Sequence, residues 1–326
     1  MDKKTLPLIY ILIGLLPLAI KDINFHHVMV IFLMFATVGE AWNIITGFAG
    51  QTSFGHAAFF GIGAYTSSVL FWKFHINPWV GMLLGAVLAT VVAAVVSYPA
   101  FRLKGHYFAI ATLAVAEIIQ QLVVSWDYVE GATGISIPVV AEGFVNLQFH
   151  KSKLPYFLIV YLLFGLTLLI AYLIENSKLG YYLKAIRESS DAAEAMGIDP
   201  ALYKLIAMMI SAIVTAVVGS LYAQYILYID PFMVFSMSIS MKIVLLTVLG
   251  GLGTIIGPVI GAAILIPLSE YTRILFGGTG KGIDLIVFGL LVVLVACFQP
   301  HGIVGILRKA GAGRTVVKGG SAGYAR

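Results

Sequence analysis

"GFAGQTSFGHAAFFGIGAY", residues 47–65, lies between two strongly apolar runs, yet it carries five glycines together with Gln51, Thr52, Ser53 and His56. What such a stretch does depends on the solvent around its neighbours. The chain of 326 residues is 60% hydrophobic and only 11% charged, far outside the usual composition of a soluble domain. A bilayer core about 30 Å thick takes roughly 20 apolar residues per helical crossing. Apolar windows fall at about 5–20, 28–46, 56–71, 78–101, 106–125, 154–174, 204–228, 236–250, 256–276 and 283–300. The fold class expected is therefore an all-α polytopic membrane protein of about ten transmembrane helices with Gly-broken segments. The runs are long and do not alternate with period two, which argues against a barrel.

In that frame the quoted stretch joins the second and third crossings, where its glycines let the chain dip back toward the bilayer centre. Hydrocarbon tolerates such breaks only where protein or water satisfies the freed backbone groups. A matching break, "GGLGTIIGPVIG" at 250–261, joins the eighth and ninth crossings. Corresponding Gly-interrupted segments in two halves point to a pore or substrate path. Gly253, Gly257 and Gly261 are equally well spaced for close helix packing, so both readings stand. The candidate path residues here are Gly50, Gln51, Ser53, His56, Gly250, Gly251 and Gly253.

Charge sets the orientation. With the N-terminus cytoplasmic, the inside segments collect Lys3, Lys4, Arg102, Lys104, Lys178, Lys184, Arg187, Lys204, Arg308, Lys309, Arg314, Lys318 and Arg326. The outside segments hold Lys21, Lys73, Lys151, Lys153, Arg273 and Lys281, with Lys242 near the outer end of a span. This asymmetry places both termini inside, and it explains the net charge of +5 without nucleic acid. The opening apolar run after Lys4 has no small-x-small cleavage site and reads as a retained span. Residues 1–308 form one transmembrane domain. The Gly-rich basic tail, 309–326, is flexible and lies near anionic lipid headgroups.

Ionisable groups at membrane depth are functional candidates by default. Glu40 with Asn43, and Glu117 with Gln120 and Gln121, form two polar stripes at helical spacing, each expected to face inward. They either hydrogen-bond one another to register the bundle or line the path. His56 either caps a break or contacts the path. A metal role is not expected, because no second ligand lies at suitable spacing. The lone Cys297 excludes an internal disulfide.

ATP chemistry is missing from the chain. "FGGTGKG" at 276–282 has Leu275 at the first glycine position of a phosphate loop and Gly282 in place of its hydroxyl, and "GGLGTIIG" misses the dinucleotide spacing by one residue. An enzyme reading is therefore weak.

The external loop, 126–153, and the internal loop, 175–203, are the two longest polar stretches. Within the second, Asp199 followed by Pro200 reads as an N-cap and first helical residue. Asp191 and Glu194 have capping-box spacing, and Gly197 is placed to end the turn left-handed. The resulting short helix, 189–197, presents Leu183, Ile186, Ala192, Ala193 and Met196 beside Lys184 and Arg187. It is too small to bury a core of its own, so on spacing alone it reads either as a helix that needs a partner surface or as an ordinary solvated linker.

"D-A-A-x-x-x-G", Asp191 to Gly197, resembles the E-A-A-x-x-x-G coupling loop of ATP-binding-cassette import permeases. Its surroundings, "LKAIRESSDAAEAMGID", resemble the LivM-type permease of branched-chain amino-acid importers. "GFAGQTSFGHAAFFGIGAYTSS", "FRLKGHYFAIATLAVAEI", "GATGISIP" and "VLGGLGTIIGPVIGA" are similar to that family's segments in the same order, over about residues 35–308. Asp191 replaces the motif's usual Glu, the I-x-L-P after Gly197 is missing, and Glu130 stands where Gly is expected.

The resemblance implies a permease subunit in a prokaryotic inner membrane that pairs with a homologous second permease and receives solute from an external binding protein. Two cytoplasmic ATPase subunits would hold the ATP and Mg, with no cofactor in this chain. Lys184, Arg187, Asp191, Ala192, Ala193, Glu194 and Gly197 would couple those ATPases to the spans. Branched-chain amino acids are the implied cargo, with urea, short amides or a simple sugar as alternatives. A proton-coupled carrier using Glu40 and Glu117 is the competing class, and a channel fits the structured loop poorly.

Overall fold

The computed structural model describes residues 5–275 except 21, 102 and 104, together with 286, 289, 290, 293 and 302–305. The tenth apolar window, Cys297, the "FGGTGKG" turn and the tail 309–326 lie outside the described residues.

The described chain is mostly helical. In order it forms α1 (Thr5–Ala19), α2 (Ile23–Asn43), a π turn (Ile44–Phe48), α3 (His56–Phe74), α4 (Pro78–Ala100), α5 (His106–Val124), β1 (Ile135–Ser136), α6 (Leu154–Glu175), α7 (Lys178–Glu188), α8 (Ser190–Ala195), α9 (Pro200–Ile226), β2 (Tyr228–Ile229), α10 (Pro231–Val234), α11 (Met237–Gly250) and α12 (Gly257–Leu275). Starts follow local chemistry. Asp22, Asn77, Ser177, Ser189, Asp199 and Asp230 each cap a helix with a side-chain oxygen, satisfying amide groups that have no intrahelical partner. Among the described residues, six segments are long and apolar enough to cross a membrane: Ile23–Phe48, Pro78–Ala100, His106–Val124, Leu154–Glu175, Pro200–Ile226 and Pro231–Gly250. The protein is thus a multi-pass helical membrane protein.

α2 is the hub. It is apolar all round and buried along the whole of its apolar window, as a helix enclosed by others should be, and it packs against α6, α9, α11 and α12. α3, α4 and α9 form a second set of contacts. There a Cβ on Gly63 would overlap the backbone of Ala216, and one on Gly219 the backbone of Phe60. The helices therefore meet backbone to backbone, as small residues permit in membranes, and Ser220 Oγ donates across the crossing to the Gly63 carbonyl at 2.8 Å.

This corrects one expectation. The quoted stretch is a break only up to Gly55, because residues 56–65 are already α3. Gly61 and Gly63 belong to the packing of that helix. Gly250, Gly257 and Gly261 likewise bring α11 and α12 together, since a Cβ on any of them would overlap facing backbone.

Loops sort to two ends. At one, Trp79 Nε1 donates to the Phe144 carbonyl at 2.6 Å, and Tyr156 Oη donates to the carbonyls of Leu147 and Gln224 at 2.9 and 3.0 Å. There β1 pairs antiparallel with β2 in the register Ile135↔Ile229 and Ser136↔Tyr228, so loop 126–153 covers that end. Loops 49–55, 175–203 and 251–256 gather at the other, with Phe101, Leu103 and Gly105 beside them.

Candidate functional site

At the second end, residues 175–203 fold into two short helices. α8 is capped by Ser189, whose Oγ accepts from the Ala192 amide at 3.2 Å. The Asp191 and Glu194 pair expected to form a capping box is not the cap. Serine is a strong N-cap residue, and Asp191, within the first turn of α8, suits the positive end of the helix. Gly197 takes φ +85°, and the Ile198 amide returns to the Ala193 carbonyl at 3.0 Å, a left-handed stop as expected. Asp199 Oδ1 accepts from Ala201 and Leu202 at 2.9 and 3.2 Å, so α9 starts where the sequence indicated.

The apolar side chains divide. Leu183, Ile186 and Ala193 are buried in the protein's own core, contrary to the expectation that they are all offered to a partner. Asp191, Ala192, Glu194, Met196 and Gly197 stay exposed. Of these, Asp191 and Glu194 border a cleft of about 530 Å³ that Gln51, Leu103, Ser189 and Lys204 also help to line. The exposed end of α8 is therefore acidic and close to the link 49–55.

Arg187 and Lys184 turn back onto the chain. Lys184 Nζ lies 3.1 Å from Glu175 Oε1. Arg187 Nη1 donates to the Gly47 carbonyl at 2.7 Å, in the π turn where i→i+5 bonding disturbs the regular ladder. Its side chain also lies against Gly50 and Gly253, whose φ angles are +72° and +75°. Asn43 ties the same two segments from inside: its Oδ1 accepts from the Gly253 amide at 2.9 Å and its Nδ2 donates to the Thr254 carbonyl at 3.1 Å. Thr46 Oγ1 donates to the Gln51 carbonyl at 2.9 Å. The two glycine breaks, far apart in sequence, thus form one joint, and the last turn of α7 rests on it. Gly250 and Gly251 sit buried at the start of the second break.

Glu40 is fully buried, as is Asn43. His56 opens α3, also fully buried, with Nδ1 3.2 Å from Ser53 Oγ and Nε2 2.8 Å from Ser211 Oγ. The Ser53 carbonyl accepts from Trp42 Nε1 at 2.7 Å, so His56 and Ser53 join α2, α3 and α9. The other stripe splits, in contrast to the inward orientation expected of it. Gln120 is buried and donates to the Pro231 carbonyl at 3.1 Å, whereas Glu117 and Gln121 are exposed on the face of α5 that carries Ile110, Ala114 and Ile118. Among the described residues no three His, Cys, Asp or Glu side chains gather as a metal site would require.

Sequence reading missed the contacts of Arg187 with Gly47 and of Asn43 with Gly253, because nothing local marks a pairing across such a separation. The Ser189 cap has a local signal, a serine three residues before Ala192, but Asp191 nearby offers the same capping chemistry.

Comparison with known proteins agrees with this architecture. The high-affinity branched-chain amino acid transport system permease protein LivM of Escherichia coli (strain K12) is 26% identical over 305 residues, 85% of this chain and 69% of that protein. The probable branched-chain amino acid transport permease protein LivM of Methanocaldococcus jannaschii is 24% identical over 316 residues, 84% of this chain and 91% of that one. The permease protein BraD of Pseudomonas aeruginosa is 26% identical over 289 residues, covering 83% and 91%. No solved structure matches. The family described as branched-chain amino acid transport system / permease component matches residues 24–296, from the beginning of the hub helix to beyond α12, and the chain belongs to that family.

Proposed function

We propose that this chain is the membrane-spanning permease subunit of an ATP-binding-cassette importer that moves branched-chain amino acids across the cytoplasmic membrane of a prokaryote. The observation that carries it is the family match over 24–296 combined with the α7–α8 pair, which rests on the joint between the two glycine breaks and exposes an acidic tip. In this reading the chain crosses the bilayer ten times with both termini inside, and the end bearing α8 is cytoplasmic. The skew of lysine and arginine toward that side supports the orientation.

A separate ATPase subunit, with its ATP and Mg, receives the tip formed by Asp191, Ala192, Glu194 and Gly197. Arg187 carries its movement to Gly47 and Gly253. A homologous second permease covers the α5 face, and an external binding protein docks at the end covered by loop 126–153. Glu40, Asn43, Ser53 and His56 hold the spans in register beside the path.

The test is a cysteine at position 194 in the assembled importer, treated with a short bifunctional crosslinker. A crosslinked ATPase subunit is the expected product, together with ATP-dependent leucine uptake that falls several-fold in Arg187→Ala. Modification by water-soluble reagent alone, or uptake abolished by an uncoupler while ATP is maintained, overturns the reading.

A further inference from the structure

At the end of the bundle that carries loop 126–153, a cavity of about 230 Å³ lies among α2, α9, α10, α11 and α12. It has two kinds of wall. Ile31, Phe35, Ile226 and Ile239 make one side apolar, while Lys242 and Glu270 bring one charge of each sign to the other. Phe232 and Ser238 in its lining are exposed, so the cavity is open at the protein surface. His27, also in the lining, has Nε2 3.8 Å from Glu270 Oε2, and its Nδ1 lies 2.6 Å from Tyr225 Oη. Ser236, at the start of α11, makes no side-chain cap and instead lies 2.7 Å from Ser238 Oγ.

Opposite charges beside a greasy wall, in membrane-embedded protein, suit one chemistry. A ligand with a single charge engages one of these two groups and not the other. A neutral ligand could offer these groups hydrogen bonds but no opposite charge. A zwitterion adds one charge of each sign, so any partner that Lys242 or Glu270 gives up is replaced in kind. The volume is below the roughly 300–1,000 Å³ of drug-sized pockets, which limits the ligand to a small molecule.

We propose that this cavity is a transient site for an aliphatic α-amino acid. Its carboxylate lies toward Lys242 and the amino end of α11, its ammonium toward Glu270, and its side chain against Ile31, Phe35 and Ile239. Helix amino ends favour anions, which assigns the carboxylate to the Lys242 side. The inference rests on the proposed function for its cargo class, and adds where that cargo is held within this subunit.

The experiment uses the full chain in lipid nanodiscs with a diazirine-bearing leucine, irradiated and mapped by peptide mass spectrometry. Labelling is expected within 27–35 and 232–242. Excess leucine suppresses it, whereas 4-methylpentanoate and 3-methylbutylamine do not. Lys242→Met and Glu270→Gln reduce it by roughly tenfold or more, while the charge-conserving Lys242→Arg and Glu270→Asp retain it. Labelling spread along the outer face of α4, or insensitive to leucine, overturns the proposal. So does equal competition by the singly charged analogues, a result that needs no variant to fold. Leucine uptake by the assembled importer is measured in parallel. Its absence with specific labelling intact rejects the cargo reading and leaves the site, whereas normal uptake by the unsubstituted importer whose chain shows no leucine-suppressible labelling rejects the site and leaves the cargo.

Discussion

Glu130 holds a left-handed backbone at φ 62°, next to Gly131 at φ 43°. A non-glycine residue there costs about 1–2 kcal/mol, of which glycine would return part against its own chain entropy of roughly 0.5–1 kcal/mol. Glu130→Gly is therefore expected to stabilise the protein by about 0.5–1 kcal/mol, read as a higher apparent melting temperature; a lower one would show that the side chain contributes more than the backbone strain removes. Glu142 in the same external loop accepts at Oε1 from the amides of His150 and Lys151, both at 2.7 Å. Those bonds, the Lys151 amide foremost, hold its carboxyl below the ordinary carboxylate range. A depressed folded pKa means that the contribution is present above the unfolded value and is lost as pH falls through the folded one. Hydrogen-exchange protection of the His150 and Lys151 amides should accordingly drop on acidification below the usual glutamate range. Glu142→Ala should remove that pH dependence; persistence of the acid step in the variant would assign it elsewhere.

At the scale of elements, close crossings carry the fold. α3 and α9 approach until Gly63 faces the backbone of Ala216, where no side chain can yield cheaply. Overpacking typically costs about 1–3 kcal/mol and occasionally more, and here the obstacle is main chain. Gly63→Leu is expected to lie at or above that range and to reduce the yield of folded protein in membranes, while Gly143→Leu, with nothing near a Cβ, should be neutral. Equal yields for both would refute the backbone contact. The same element scale shows what spacing reveals. The Asp199–Pro200 start of α9 and the Gly197 stop were legible because caps are local chemistry. The cap of α8 was misplaced onto Asp191 because Ser189 and Asp191 both qualify, and only the entry angle from α7 decides between them.

For the whole molecule, two exposed helix faces differ in kind. α4 presents Leu83, Val87, Val91 and Val95, an unbroken apolar surface suited to lipid. α5 presents Glu117 and Gln121 among Ile110, Ala114 and Ile118, and a carboxylate facing hydrocarbon is expensive. In the assembled importer Glu117→Cys and Gln121→Cys should react with a charged, water-borne maleimide, whereas Val87→Cys and Val91→Cys should not. Indistinguishable reactivity of the two faces would refute this difference between α4 and α5.

Apolar run length, helix caps and the skew of basic residues determined a helical multi-pass protein and the position of its structured loop, because each rests on interactions within about a helical turn or on a count. Tertiary structure alone decided that Asn43 and Arg187 join two glycine breaks, that Glu117 turns outward while Gln120 turns in, and that Lys242 and Glu270 share a cavity. Those outcomes depend on which helices become neighbours and how each is rotated. Glycine packing sets both, and a hydropathy pattern with nearly uniform grease carries too little periodic contrast to reveal them.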